Sequence, residues 1–231
     1  MKNLNIFSLI TEYDNAKSGG VLNKPNVSFV NEDSSVRYLI DIKIEYEYVD
    51  LGLPSGLKWA TCNVGATTPE EYGLYFAWGE TTGYTAEQVP GVRAFTEDEY
   101  KAGPAALISA DLTLEQDAAH VNMGGNWRMP TEAEFQELID NCDVMWTEDY
   151  NGTGVAGSIF TSKINGNSVF FPAAGEYFDS SEFWGGEMGF YWSASGRTIK
   201  GYAWVFWYDR GSEGLGDGPR YYGQTVRGVC E

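Results

Sequence analysis

The chain has 231 residues and carries 15 basic against 33 acidic side chains, a net charge of −18. This length allows one large or two small domains, each with a buried core, and an aromatic content of 15% argues against a disordered chain. The acidic field repels phosphate backbones and anionic membrane surfaces, which argues against nucleic acid as a partner. No apolar run approaches the length of a bilayer span, so we expect no membrane insertion.

The N-terminal sequence MKNLNIFSLITEYDNAK has no uninterrupted apolar segment and meets Asn, Glu and Asp early. It therefore does not fit a secretory signal peptide, and we expect no export by the general secretory route. Further along, the segments 27–30 and 36–40 are rich in β-branched residues and flank a turn-like segment at 31–34, which predicts a hairpin. Residues 1–48 have too few apolar positions to form a core of their own. We interpret them as an extended, β-rich arm that packs on the main domain or on other chains; the second alternative, an arm that anchors or oligomerises the chain, is favoured. Residues 49–231 are then a separate domain.

Leu51 and Leu53 are followed by a Pro-Ser-Gly turn and then Leu57 and Trp59, which predicts two short strands. A compact apolar run at 75–79 comes next. Residues 80–110 form a long polar insertion of low periodicity, in which Tyr84, Phe95 and Tyr100 are the scattered hydrophobic anchors.

The sequence GGNWRMPTEAEFQEL at 124–138 predicts the beginning of a helix. Thr131 and Glu134 form a capping box, in which each side chain accepts from a backbone N–H at the open helix end. Phe135, Leu138 and Ile139 then give the helix one apolar stripe. A second pair with this spacing, Thr113 and Gln116, predicts another helix that runs to about Met123.

The remaining sequence is typical of short strands. Segments 159–162 and 168–171 flank Asn165-Gly166, a strong hairpin signal. The last strands are predicted at 191–195, 202–208 and 224–229.

Few residues support catalysis or metal binding. His120 is the single histidine, and we interpret it as packed or capping within its helix. Cys62, Cys142 and Cys230 form no CxxC pair, and the sequence leaves open one disulfide with a free thiol or three buried thiols. Asp149–Gly154 matches the opening of an EF-hand loop, but its twelfth position is Phe160 instead of the bidentate Glu, which favours an ordinary turn. We therefore predict no enzyme, no metal site and no cofactor.

Six ordered blocks carry a resemblance to a known family. They are VDLGLPSGLKWATCNVGA, YGLYFAWGET, LTLEQDAAHVNMGGNWRMPTEAEFQELIDNC, NGNSVFFPAAG, FYWSAS and RYYGQTVRGV. Together they resemble the Fibrobacter succinogenes major paralogous domain, a family frequent in Bacteroidetes and their phages and similar in fold to C-type lectin domains and the formylglycine-generating enzyme. The resemblance implies an α+β, C-type lectin-like fold with two helices packed on small twisted antiparallel sheets. The redox cysteines of the formylglycine-generating activity and the Glu-Pro-Asn or Gln-Pro-Asp motif of calcium-dependent sugar binding are missing.

The C-terminal strand 202–208 is the best candidate for binding. Alternation places Ala203, Val205 and Trp207 on one face, which the family pattern implies is the core face, and four large aromatic residues on the other. Aromatic and Arg side chains on a Gly-rich scaffold are typical of recognition surfaces. The predicted ligand-binding set is Tyr202, Trp204, Phe206, Tyr208, Arg210, Glu213, Leu215, Asp217, Arg220 and Tyr221. The alternative is that both faces are buried, for instance under the insertion at 80–110.

Two functional classes follow from these observations. In the first, the chain is a phage virion protein, a head or tail fibre or decoration, whose residues 1–48 bind other virion proteins. Its lectin-like domain then binds a host-surface glycan or protein, and we expect a homotrimer. In the second, it is a cell-surface adhesin or glycan-binding protein of Bacteroidetes. The segment KPNVSFVNEDSSVRYL resembles leader segments of Bacteroidales phage proteins, which favours the first.

Overall fold

A computed structural model describes residues 21–22, 26–32, 35–41, 44–91, 95–108 and 110–231, with side-chain environments from residue 45 onward. In these segments the protein is mostly β-sheet with three α-helices, in agreement with the expected α+β class. The helices are α1 (Glu97–Ala102), α2 (Ala118–Met123) and α3 (Glu132–Asn141). The strands are β1 (Val21–Leu22), β2 (Asn26–Glu32), β3 (Ser35–Asp41), β4 (Ile44–Glu45), β5 (Tyr48–Asp50), β6 (Lys58–Asn63), β7 (Tyr75–Phe76), β8 (Cys142–Thr147), β9 (Gly157–Ser162), β10 (Ser168–Pro172), β11 (Glu176–Phe178), β12 (Ser181–Phe183), β13 (Gly189–Gly196), β14 (Tyr202–Tyr208), β15 (Glu213–Pro219), β16 (Gln224–Thr225) and β17 (Arg227–Cys230). None of the helices in these segments is long and apolar enough to cross a membrane.

Both hairpins that the sequence predicts are present. Strands β2 and β3 pair antiparallel from Asn26 opposite Asp41 to Glu32 opposite Ser35, so the ladder extends into the expected turn. Strands β9 and β10 pair around Asn165-Gly166, where Gly166 has a positive φ of 78° that glycine adopts at no steric cost. The first part of the arm, residues 1–20, lies outside the described residues.

The first leucines of the domain do not form the expected strand. Strand β5 ends at Asp50 and pairs with β6, and Leu51, Leu53 and Leu57 lie between these strands in non-repetitive backbone. All three leucine side chains are nonetheless buried in the core. The apolar pattern therefore indicated burial correctly and strand structure incorrectly.

Helix α3 begins where its capping box predicts. The backbone N–H of Glu134 donates to Thr131 Oγ1 at 3.3 Å, and Glu134 Oε2 accepts from the backbone N–H of Thr131 at 2.7 Å. Phe135 and Leu138 are fully buried, and Ile139 packs at the edge of the same cluster. The apolar stripe thus fixes which side of this ten-residue helix faces the sheets.

The second predicted helix is divided in two. Thr113 and Gln116 do form a capping box, but it opens only a 3-10 turn at Leu114–Gln116. Asp117 then adopts an extended conformation and caps α2 separately, since its Oδ1 accepts from the backbone N–H of His120 at 2.8 Å. Its Oδ2 accepts from the backbone N–H of Met129 at 2.8 Å. One carboxylate therefore satisfies both a helix end and a loop, and a continuous helix would prevent this.

The central sheet has five strands in the order β15-β14-β13-β16-β7, antiparallel except for the parallel pair β13–β16. Beside it lie two three-stranded sheets, β10-β9-β8 and β17-β6-β5. The sequence predicts the positions of β13, β14 and the β16–β17 region, but not of β15, β11 or β12. Strand β15 has the sequence EGLGDGP, and glycine, aspartate and proline are the residues that strand propensity disfavours.

Both faces of the central sheet are covered by hydrophobic residues. On one face, α3 and the strands β9 and β10 pack against β14, with the rings of Phe135 and Phe206 stacked at 4.7 Å between centroids. On the other face, Ala203 and Val205 lie in a second cluster with Trp78 and Trp192. Such interiors are close-packed, so each buried ring has a fixed neighbourhood.

The insertion at 80–110 folds onto the sheet through its predicted anchors. Phe95 and Tyr100 are buried in a third cluster with Tyr75 and Tyr177, and Tyr84 packs against its edge. The Tyr100 hydroxyl donates to the carbonyl of Trp78 at 2.7 Å. Aromatic anchors therefore position a polar segment that has little regular structure of its own.

A candidate binding cleft

A cleft of about 330 Å³ lies where the insertion meets one end of the central sheet. Three segments that are distant in the sequence form it: helix α1, the turn that leads into β14, and the residues that follow β15. Its lining residues are Glu97, Tyr100, Lys101, Ala106, Lys200, Gly201, Tyr202, Pro219, Arg220 and Tyr221. Three of these, Tyr202, Arg220 and Tyr221, belong to the binding set that the sequence predicts. We call this feature the cleft.

Helix α1 forms one wall of the cleft and depends on tertiary contacts. It has only six residues, and a helix this short is not stable alone in water. Thr96 caps it by accepting from the backbone N–H of Glu99 at 3.4 Å. Acidic residues in the first turn and Lys101 in the last turn complement its dipole. Tyr100, which is 6% exposed, packs in the cluster with Tyr75 and Tyr177 and so holds the helix against the rest of the domain.

Arg220 supports the floor of the cleft. The residue is only 4% exposed, its Nε donates to the carbonyl of Tyr202 at 2.9 Å, and its Nη1 donates to the carbonyl of Ile108. Its guanidinium lies over the ring of Trp78 at 4.1 Å from the centroid. Burial lowers the pKa of Arg220, while Tyr100 opposes this shift. This arginine, which we predicted as a surface contact, instead joins the insertion to the beginning of β14.

The rings of Tyr202 and Tyr221 are the aromatic surfaces that a ligand in the cleft can reach. Tyr202 is 37% exposed and Tyr221 is partly buried. Burial, and secondarily the charge of Glu97, raises the pKa of Tyr221, so its hydroxyl is neutral at physiological pH. Lys101 and Lys200 are exposed at the rim. The cleft therefore offers ring faces, hydroxyl groups and positive charge to one ligand.

The expectation that Phe206 and Tyr208 lie on an exposed contact face is wrong. Both side chains are completely buried, because α3 and the strands β9 and β10 cover this face of β14. The Tyr208 hydroxyl donates to the carbonyl of Phe171 at 2.7 Å, deep in the core. Leu215 packs against the same cluster. Around Phe206 and Tyr208 this face of β14 is therefore buried, as the alternative interpretation held, but it is covered by α3, β9 and β10 and not by the insertion.

Trp207, which we expected to face the core with Ala203 and Val205, is only partly buried. It lies across two glycines of the neighbouring strand, since a Cβ on Gly214 or Gly216 would come within 3.3 Å of its indole ring. In the edge strand β15, the residues opposite Ala203, Val205 and Trp207 are all glycines. The glycines therefore make room for the indole.

Trp204 takes part in a layered contact beside the cleft. The guanidinium of Arg197 lies over its ring at 3.9 Å from the centroid, and Arg197 also pairs with Asp217 at 2.9 Å. Asp217 is directly opposite Trp204 in the β14–β15 ladder. These contacts join the connection between β13 and β14 to the β14–β15 hairpin, and they keep Trp204 partly covered.

Arg210 and Glu213 lie at the far end of the same hairpin. Arg210 pairs with Glu148 at 2.6 Å, and Glu213 is opposite Tyr208 in the ladder. Strand β14 has seven residues, which corresponds to about 20 Å from end to end. The ten predicted residues therefore do not form one site: Tyr202, Arg220 and Tyr221 share the cleft, and the others are buried, internally paired or distant.

An exposed aromatic hairpin adjoins the cleft, and the sequence analysis missed it. Strands β11 and β12 pair antiparallel around Asp179 and Ser180, which both have positive φ. The side chains of Phe178, Phe183 and Trp184 are 37%, 43% and 52% exposed. We call residues 176–184 the aromatic hairpin. The available signal was the run of aromatic residues in EYFDSSEFW, which strand alternation alone does not assign to an exposed surface.

The aromatic hairpin and the cleft are continuous. The ring of Phe178 lies 6.0 Å from that of Tyr221, which lines the cleft, and 6.4 Å from that of Phe183. Trp184 has a φ of 64°, a conformation that a bulky residue rarely adopts and that the surrounding structure must impose. Exposed aromatic patches of this kind are typical of interaction surfaces.

The other chemical candidates are occupied by structural contacts. His120 Nδ1 lies 3.0 Å from the carbonyl of Trp127, which agrees with a packed histidine. Asp149 Oδ1 accepts from the backbone N–H of Gly154 at 2.6 Å in a local turn, and Phe160 is in the core. All three cysteines are free thiols. Within the described segments, no group of three or more His, Cys, Asp or Glu side chains is placed to hold a metal ion.

The fold and the cleft define a small α+β domain with an aromatic, cation-bearing surface site. Comparisons with protein families, with characterised proteins and with solved structures find no match to this chain. Its function must therefore be argued from the site itself.

Proposed function

We propose that this chain is a non-catalytic recognition protein, which binds a host-surface glycan or protein through the cleft and the adjoining aromatic hairpin. The observation that carries this proposal is the cleft of about 330 Å³, formed by three distant segments and fixed by Arg220 and Tyr100. Its volume is at the lower end of the range of about 300–1,000 Å³ for small-molecule sites. A rigid site with aromatic walls binds at low entropic cost.

The proposal includes the C-type lectin-like fold and the membership of the Fibrobacter succinogenes major paralogous domain family, which rest on the six sequence blocks. It also includes a place on the virion of a phage that infects Bacteroidales, as a homotrimeric head or tail fibre or decoration protein. Residues 1–48 then bind other virion proteins, while the domain faces outward. The close-packed core around Trp59 and Phe135 supports this proposal, because an outward-facing recognition domain needs a rigid scaffold.

The recognition role is tested with the double substitution Tyr202→Ala and Tyr221→Ala. We expect binding of the fluorescently labelled protein to host cells to fall by about tenfold or more, since two exposed rings leave the site. The melting temperature should change little, because Tyr202 is exposed and Tyr221 is only partly buried. The matched control is Tyr48→Ala, an exposed tyrosine on β5, in another sheet. Unchanged cell binding by the double variant would refute the role of the cleft.

The virion location is tested by immunogold labelling of purified phage particles, with host cell envelopes as the comparison. Label on particles supports the proposal, and label confined to the bacterial envelope supports a cell-surface adhesin instead. A chain that lacks residues 1–44 should fold and bind cells but fail to join particles. Normal incorporation of that shortened chain would show that the arm is not the anchor.

A further inference from the structure

The lining of the cleft carries more basic than acidic side chains, although the protein as a whole is acidic. The whole chain has 15 basic and 33 acidic residues, so an average surface region is negative. Lys101, Lys200 and Arg220 nevertheless line the cleft. Among the described residues, Glu97 contributes the only carboxylate to the lining, and it pairs with Lys101 one helical turn away.

Two of these cations form no ion pair with an acidic side chain of the described residues. In the described part of the chain, Arg128, Arg197 and Arg210 each pair with a carboxylate within 3 Å. Neither Lys200 nor Arg220 forms such a pair with any described residue. The N–H groups of Arg220 donate to neutral carbonyls, so its charge persists beneath the cleft. In a partly buried site that charge is poorly screened and attracts an anion from outside.

The walls of the cleft determine which anion fits. Tyr202 and Tyr221 present ring faces and hydroxyl groups within the same lining as the lysines. A ring face packs against the C–H face of a sugar, while the hydroxyl bonds to the sugar's polar edge. A simple inorganic anion makes no use of these rings. The combination of ring faces with unpaired cations therefore favours a sugar that carries its own negative charge.

We propose that the cleft binds a carboxylated glycan, of the uronic or sialic acid type, without a metal ion. This inference rests on the proposed function and names its ligand class. Lys200 Nζ pairs with the sugar carboxylate, Lys101 adds a second charge at the rim, and Tyr202 and Tyr221 contact the ring. The pair between Lys101 and Glu97 is exposed to solvent and therefore weak, so a ligand can compete for Lys101. Arg220 contributes its field from below.

The test uses the purified full-length chain and three carboxylated probes: trigalacturonate, N-acetylneuraminic acid and a hyaluronan tetrasaccharide. Binding is followed by calorimetry at low and high salt in the presence of EDTA. We expect at least one probe to bind, with affinity that falls as salt rises. For trigalacturonate, the matched neutral probe is its fully methyl-esterified form, which keeps the sugar rings and removes the charges.

Two variants locate the carboxylate contact. Lys200→Gln should lower the affinity for the bound probe by about tenfold, the value of one charge-assisted hydrogen bond, and Lys200→Arg should restore most of it. The matched control is Lys163→Gln in the β9–β10 turn, whose only ion pair in the described segments is a 3.9 Å contact with Asp143. That change should leave the affinity unaltered.

The possible results separate this inference from the proposed function. Equal binding of charged and methyl-esterified probes, or failure of all three acidic sugars, overturns the carboxylated-glycan inference. Hexaglutamate is measured in the same way as an acidic peptide probe. If hexaglutamate binds and the acidic sugars do not, the inference is overturned and the ligand is identified as an acidic peptide. The recognition function survives each of these results if Tyr202→Ala with Tyr221→Ala still abolishes binding to host cells. It fails only if that double variant adsorbs normally.

Discussion

Arg227 is a completely buried arginine that joins three strands of the domain through neutral groups. Its Nε donates to Asn63 Oδ1 at 3.0 Å, and its Nη1 donates to the carbonyls of Ala60 and Thr61 at 2.8 and 2.6 Å. Its Nη2 donates to the carbonyl of Phe170 at 2.9 Å. Burial lowers the pKa of Arg227, while the nearby tyrosines oppose this shift. A guanidinium suits this position because its planar fork has five N–H donors.

Replacing Arg227 with Met should lower the free energy of unfolding by at least about 3 kcal/mol, because several buried acceptors lose their donors and each costs about 1–3 kcal/mol. Urea denaturation at neutral pH measures the change. The control is Arg210→Met, whose side chain is 73% exposed and whose ion pair with Glu148 is worth at most about 1 kcal/mol. Equal stability of the two variants would show that the buried acceptors find other donors.

At the scale of single elements, helix α3 is held at its N-terminus by an ion pair as well as by its cap. Arg128 Nη1 and Nη2 donate to the two carboxylate oxygens of Glu134 at 2.8 and 2.6 Å. Burial alone raises the pKa of Glu134, but Arg128 and the backbone N–H of Thr131 outweigh it, and the pKa lies below its ordinary value of 4.5. The carboxylate thus connects the loop before the helix to its first turn.

The stabilisation by Glu134 depends on pH in a defined direction. Its pKa is lower in the folded protein than in the unfolded chain, so the contribution is fully present above about pH 4.5 and is lost as the pH falls through the folded value. We expect Glu134→Gln to cost about 1–3 kcal/mol at pH 7. Denaturation series at several pH values should show this difference shrinking below pH 4.5. Glu132→Gln, in the same turn, is the control, and a pH-independent difference for Glu134→Gln would contradict the argument.

At the scale of the whole molecule, the domain begins before the boundary that the sequence indicates. Strand β5 spans the expected division between residues 48 and 49. Just before it, the Tyr46 hydroxyl donates to the carbonyl of Asn122 at 3.2 Å, and its ring lies 6.1 Å from that of Trp127. The carbonyl of Glu47 accepts from the backbone N–H of Thr61 at 3.0 Å. Residues 45–48 therefore contribute to the stability of the domain.

Two shortened chains test this boundary by thermal unfolding. Deleting residues 1–44 should leave the melting temperature of the domain within about 2 °C of that of the full-length chain, since the contacts of Tyr46 and Glu47 with the domain are kept. Deleting residues 1–48 removes these contacts, which together are worth about 2–3 kcal/mol, and should lower the melting temperature by about 5–10 °C. Equal melting temperatures of the two shortened chains would contradict the contribution of residues 45–48.

Local patterns were sufficient for the parts of the fold that adjacent residues determine. Three such features each involve only a few neighbouring residues, and the structure confirms all of them: the capping box at Thr131, the turn at Asn165-Gly166, and the apolar stripe of Phe135 and Leu138. The sequence pattern does not predict strand β15, because its glycines have low strand propensity. They are explained only by the partner strand, where Trp207 occupies the space that they leave.

The sequence by itself determined the α+β class, the start of α3, two hairpins and the aromatic anchors of the insertion. Only the tertiary structure decided which rings of β14 are accessible. Alternation defines two faces of a strand, but a face is exposed or buried according to what packs on it. Here α3 covers Phe206, β9 and β10 cover Tyr208, and residues of α1 line the cleft together with Tyr202 and Tyr221. Burial depends on segments far away in the chain, which the local pattern does not contain.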